Sequence, residues 1–185
     1  MTEIIAKAYL ILSRAHTPES DIFLRVYGQA GQIRILVPSE LNLSAGLFEP
    51  GNLIWIEIKQ SGDWAVLKDI SRVEMISLLA LRDYERYLWI CYIINFVKRW
   101  FYHFDKNLFE FILKQLKKQP SEPTIDRLKF ELEAIEILGL YSDKNLPNQI
   151  LNEIKLIKSG KLGPIKPEIV SKIREYIYSQ LSTLE

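Results

Sequence analysis

Residues 22–37 read IFLRVYGQAGQIRILV, and this stretch decides the fold. Ile22–Tyr27 alternates, Gly28–Gly31 supplies a hairpin turn, and Gln32–Val37 alternates again. A period of two bounded by glycine is the pattern of paired strands. Upstream, Ile4–Ser13 is apolar and loosely alternating, and HTPESD at His16–Asp21 is a loop. Downstream, a loop ends at Pro50-Gly51 and Asn52–Gln60 (NLIWIEIKQ) gives a fourth strand. Ser61-Gly62-Asp63 turns the chain into a fifth, Trp64–Val73. Five short strands in so few residues predict a small closed barrel of the OB or SH3-like kind. The loop Pro38–Phe48 lies between strands three and four, where an OB-fold places a helix or long connection, so OB is preferred.

From Glu74 onward the period becomes helical. Ser77–Phe104 (SLLALRDYERYLWICYIINFVKRWFYHF) carries Leu81, Tyr84, Leu88, Cys91, Tyr92, Phe96 and Trp100 at helical spacing, which predicts one long core helix. Its uncharged run, Tyr87–Val97, is short of the roughly 20 apolar residues that cross a bilayer, and Lys98 and Arg99 close it. Asn107–Lys118 reads as a second helix with a basic C-terminal end that suits the helix dipole. Thr124 is the expected N-cap of Ile125–Leu138, and Gly139 its stop. Pro147–Lys158 forms a short helix closed by Gly160. Pro167 opens the last one, striped by Ile169, Ile173, Tyr176, Ile177, Leu181 and Leu184. The expected fold class is α+β: an OB-fold barrel over residues 1–75, then an all-α helical bundle over residues 76–185.

The formal net charge of the 185 residues is +1, so no global field announces an acidic partner. Residues 74–118 alone are clearly basic, with eight Lys/Arg against five Asp/Glu. A single cysteine, Cys91, and two histidines 87 residues apart supply neither a disulfide nor a Cys-rich metal site. The first residues lack a basic-then-apolar leader pattern, which predicts a cytoplasmic protein. There is no Gly-rich phosphate loop, nucleophile elbow or zinc spacing. Glu131, Glu133 and Glu136 read as the solvated face of an amphipathic helix. His16 and His103 lack local partners. Neither an enzyme nor a cofactor is expected.

Binding is the remaining chemistry. OB barrels hold single strands on aromatic platforms beside cations. Here the candidates are Arg14, Arg25, Arg34, Lys59, Lys68 and Arg72, with Tyr27, Trp55 and Trp64 as stacking surfaces. The competing reading makes Trp55 core and the cations ordinary surface. A second candidate surface is Arg127 and Lys129 beside Leu128 and Phe130, a basic rim that suits a short acidic, aromatic-ended peptide. Alternatively, these two cations merely balance Asp126, Glu131 and Glu133.

The order of these segments resembles the RecO recombination-mediator family. The matching pieces are AYLILSR (Ala8–Arg14), PESDIFLRVY (Pro18–Tyr27), GQIRILV (Gly31–Val37), LFEPGNLIWIEI (Leu47–Ile58) and WAVLKDIS (Trp64–Ser71). DRLKFELEAIEILGLYSD (Asp126–Asp143) is similar to that family's RRFELxLLxxLGYxPDL segment. The tail IKSGKLGPIKPEIVSKIREYIYSQL is similar to the end of many members. The resemblance implies a non-catalytic protein that binds and anneals single-stranded DNA at the nucleoid. It also implies engagement of the C-terminal tail of single-stranded-DNA-binding protein, and work with RecR to load RecA. By position, Arg127, Lys129 and Phe130 would receive that acidic tail, and Arg14, Arg25 and Arg34 would contact DNA. Two departures stand out. The CxxC pairs of the family's zinc module are missing after the FEL segment, so no zinc is expected. Where many members carry a basic loop after the third strand, this chain has PSELNLSAG, with no Lys or Arg from Val37 to Ile58. Each lost phosphate contact lowers the salt dependence of binding. A protein-interaction adaptor of the same architecture, without appreciable DNA binding, is the alternative. A peripheral membrane protein using the apolar helix is a third reading. The chain alone is expected to be monomeric.

Overall fold

A computed structural model describes residues 7–41, 45–61, 64–144, 146–160 and 165–184. The start of the first expected strand, part of the expected Pro38–Phe48 loop, the tip of the 61–63 turn and the 161–164 connection lie outside them. The strands are β1 (Lys7–His16), β2 (Ile22–Gly28), β3 (Gly31–Val37), β4 (Leu53–Ser61) and β5 (Trp64–Glu74). They close into a barrel in the order β1-β2-β3-β5-β4, antiparallel except for a parallel β3–β5 contact at Ile35↔Ala65 and Leu36↔Val66. This is the OB topology. The link from β3 to β4 carries short 3₁₀ turns, Ser39–Leu41 and Ala45–Phe48.

The alternation explains the closure. Successive strand side chains point to opposite faces. Tyr9, Ile11, Ile22, Leu24, Val26, Ile35, Val37, Ile54, Ile56, Ala65 and Leu67 therefore share one interior with Phe48. Asn52 is fully buried at the barrel's end. Its amide donates to the Gly46 and Leu47 carbonyls (3.1 Å each) and accepts the Ser77 N–H (3.0 Å).

The helices are α1 (Tyr84–Trp100), α2 (Lys106–Lys117), α3 (Pro123–Ile137), α4 (Asn148–Ser159) and α5 (Pro167–Leu181). The expected continuous helix from Ser77 is corrected. Ile76–Arg82 is a 3₁₀ segment, and Asp83 breaks away in extended backbone to cap α1 through the Glu85 N–H. The buried stripe is also displaced. Trp89, Ile90, Ile93, Ile94, Phe96, Val97 and Trp100 are inside, while Leu81 and Tyr84 are exposed. At α3, Glu122 rather than Thr124 stands at the cap, and the Asp126 carboxylate accepts the Ser121 and Glu122 N–H groups (2.8 and 3.0 Å). Gly139 and Gly160 end α3 and α4 with positive φ, as their positions predict.

The chain separates into two compact units, Met1–Lys118 and Gln119–Glu185. In the first, α1 and α2 pack with the barrel, and the Trp89 indole N–H donates to the Gln115 carbonyl at 2.8 Å. The joint between barrel and helices is at β3. The Gln32 side-chain amide donates to the carbonyls of Val97 (2.9 Å), Lys98 (3.2 Å) and Phe101 (2.9 Å), at and just past the C-terminal end of α1, where carbonyls run short of helical partners. The Gln32 backbone N–H donates to the Tyr102 carbonyl at 2.9 Å. Gly31 has φ +74°, and a Cβ there would lie 2.3 Å from that same Tyr102 oxygen, so only glycine fits. In the second unit, α3, α4 and α5 pack on one another with Leu128, Leu132, Ile135, Ile154, Ile157, Ile173 and Ile177 buried.

Candidate nucleic-acid interface

The outer face of β2 and β3 holds the site. Arg25 and Arg34 are directly opposite each other across the β2–β3 ladder, and Ser13 of β1 is opposite Arg25. The parallel β3–β5 register begins at Ile35↔Ala65, which sets Trp64 beside Arg34. Trp64 is 42% exposed, and its ring stacks on Phe23 with centroids 5.4 Å apart and planes 20° apart. Phe23, Arg25, Arg34, Trp64, Arg14 and Lys98 line one open cleft of ≈ 390 Å³.

The electrostatics of this cleft are unbalanced. Like charges directly opposite on neighbouring strands destabilise a sheet. Among the described residues, no carboxylate pairs with Arg25, Arg34 or Lys98. The Arg25 guanidinium lies 6.0 Å from the centroid of the exposed Tyr102 ring. Arg14 differs, since it holds Glu49 at 2.9 Å. A polyanion on this face would relieve the Arg25–Arg34 repulsion, and an unpaired base could stack on Trp64.

The other barrel candidates are elsewhere. Lys59, Lys68 and Arg72 stand on β4 and β5 alongside the opposed pair Glu57 and Asp69, and none lines the cleft. Arg72 lies over the Trp55 ring at 4.5 Å, covering that ring. Tyr27 is corrected as a stacking surface: it is fully buried beneath Phe104 and Phe109. Its hydroxyl donates to the His103 carbonyl at 3.1 Å, and burial raises its pKa. Phe23, Lys98 and Tyr102 escaped the sequence reading. Phe23 shares the face of Arg25 by simple alternation. Lys98 carried no local signal, because it reaches the cleft through the Gln32 joint.

In the second unit Arg127 and Lys129 do not form one rim. Residues two apart on a helix do not face each other. The Lys129 ammonium lies 3.7 Å from where a Gly160 Cβ would be, at the C-terminal end of α4, which suits a cation. Phe130 is buried and offers no surface to a peptide. Glu131 is also corrected: it is fully buried rather than solvated, 3.7 Å from the Arg174 Nε. Glu133 and Glu136 are exposed, and Glu136 pairs with Lys158, whose ammonium sits over the Tyr141 ring. The Tyr176 hydroxyl donates to the Ser142 carbonyl (2.9 Å) and accepts the Ser142 N–H (2.8 Å), pinning the segment after α3 to α5.

Among the described residues no helix is long and apolar enough to cross a membrane, and no cluster of three or more His, Cys, Asp or Glu could hold a metal ion. No family model matches the chain. Over 134 residues, 71% of this chain, it is 31% identical to an uncharacterized protein of Aquifex aeolicus (strain VF5), and the match spans 63% of that protein's length.

Proposed function

We propose that the chain is a non-enzymatic, RecO-like recombination mediator whose barrel holds single-stranded DNA in the cleft of Phe23, Arg25, Arg34, Trp64 and Lys98. The observation that carries this reading is the juxtaposition of Arg25 and Arg34 beside an exposed, pre-stacked tryptophan. Paired strands bury their base faces, so a stacking platform favours unpaired DNA. The reading extends to annealing of single strands at the nucleoid. It further extends to engagement of the acidic tail of single-stranded-DNA-binding protein, and of RecR, to help load RecA. No covalent bond is made or broken.

A second reading, the interaction adaptor, is favoured by one specific observation. Arg14 is occupied by Glu49, and no cation stands between residues 38 and 58, so the electrostatic footprint is small. Fluorescence anisotropy of a labelled oligo-dT, at low and at physiological salt, separates the two. Binding that weakens with salt supports the mediator. No binding at low salt overturns it in favour of the adaptor.

A further inference from the structure

The first unit carries an apolar patch that the barrel cleft does not use. Leu78 is 48% exposed, Leu81 79%, Tyr84 71% and Tyr87 49%. They are contiguous: Leu78, Leu81 and Tyr87 line a cavity of ≈ 480 Å³ with Met75, Ile90 and Cys91, and the Tyr84 ring stacks on Tyr87 at 6.3 Å. Two projecting side chains, Leu81 and Tyr84, thus stand beside a hollow on the same surface.

We propose that this patch is a self-association surface, on which a second copy of the chain docks about a two-fold axis. Three observations select that occupant. A two-fold interface requires one patch to hold both projection and recess, because each copy must fill the other. This patch does so. Four charged side chains around it are also engaged within one chain. Glu74 holds Lys117 (2.7 Å), Arg86 donates to the Lys117 carbonyl (2.7 Å), Asp83 caps α1, and Glu49 in the hollow holds Arg14. The two ion pairs among them leave Glu74 and Glu49 already neutralised when a second copy approaches. The area suits as well. The four side chains expose on the order of 500 Å², near the upper end for a monomer's largest apolar patch. That is more than half of the ~800 Å² that each partner contributes to a standard interface. Tyrosine and leucine, rather than lysine and glutamate, are what the core of such an interface contains. This proposal departs from the monomer expected from the sequence.

The test is the mass of the full chain by sedimentation equilibrium across a wide concentration range. The mass should rise from 21.6 kDa towards a plateau at twice that value. Leu81→Glu with Tyr84→Glu should hold it at 21.6 kDa with an unchanged circular dichroism spectrum. Leu156→Glu, at an exposed position on α4 of the second unit, should dimerise like the parent. If the double glutamate variant loses helical signal, Leu81→Ser with Tyr84→Ser serves in its place. A parent that stays monomeric, a variant that still doubles, or a mass that climbs past two copies without a plateau would each overturn the proposal.

Discussion

The cleft makes two energetic terms separable by mutation. Arg25, Arg34 and Lys98 are the cations there without a carboxylate partner among the described residues, so up to three phosphates can be neutralised. For single strands the slope of log affinity against log salt is about −0.7 per phosphate, hence about −2 for the parent. Between 50 and 200 mM salt the affinity should fall about 20-fold. Arg34→Ala removes one contact, which flattens the slope to about −1.4 and the loss to about 7-fold. Trp64→Ala removes a stack worth about 1–3 kcal/mol, a loss of about 5- to 150-fold that is the same at every salt. Folding separates them too. Arg34→Ala relieves the opposition to Arg25, so Tm should hold or rise. Trp64→Ala costs the Phe23 stack, about 0.5–1.5 kcal/mol, and should lower Tm by a few degrees. Anisotropy of labelled oligo-dT at four or five salt concentrations measures slope and offset together. A Trp64→Ala variant that changes the slope, or an Arg34→Ala variant that leaves it untouched, would refute the division of labour.

The remaining predictions concern stability. Gly31→Ala forces a Cβ onto a backbone oxygen at positive φ and should cost about 2–4 kcal/mol, read as a lower denaturant midpoint. Asn52→Ala strands two carbonyls and one N–H at a buried position and should cost about 2–4 kcal/mol; a loss below 1 kcal/mol would mean that other groups satisfy them. Glu131→Ala removes a buried partner of Arg174 and should destabilise the second unit by about 2–3 kcal/mol, less than a fully buried pair because Arg174 is partly exposed. Burial raises the Tyr9 and Tyr27 phenols above their ordinary value of 10.0. The folded state then holds protons that the unfolded chain releases. These groups therefore stabilise fully below pH 10, and that contribution is lost as pH rises through the raised values. Thermal melts from neutral to strongly alkaline pH should show that decline, and Tyr27→Phe should lessen it.

The barrel was legible because a period of two assigns each side chain to a face: Ile22, Leu24 and Val26 point inward and Phe23 and Arg25 outward. Alternation does not say what later covers the outer face, which is why Tyr27 was misread as a platform when the turn after α1 buries it. Leu81 and Tyr84 fitted a helical stripe, yet Asp83 between them is a capping residue, and the stripe that packs begins only at Trp89. Arg14, Arg25, Arg34 and Trp64 were candidates from composition and strand placement. The β1–β2–β3 ladders gather the arginines, but Trp64 joins them only through the parallel β3–β5 register, a contact between segments some thirty residues apart that no local pattern encodes. Glu131 is another case of distance: Arg174, which meets its carboxylate, lies on a different helix, and the surface character of glutamate argued for solvent.

The hold of Gln32 on the end of α1 bears on how such a protein can be rearranged by evolution. A barrel whose third strand lends the Gln32 amide to three carbonyls at the end of α1, and whose Tyr27 hydroxyl serves the following turn, is not an interchangeable cassette ending at residue 75. Recombination at that point would orphan polar groups on both sides of the cut. The first compact unit runs on through both helices to Lys118, so a cut that leaves these bonds whole falls beyond that residue. The barrel and its two helices would thus be inherited as one piece.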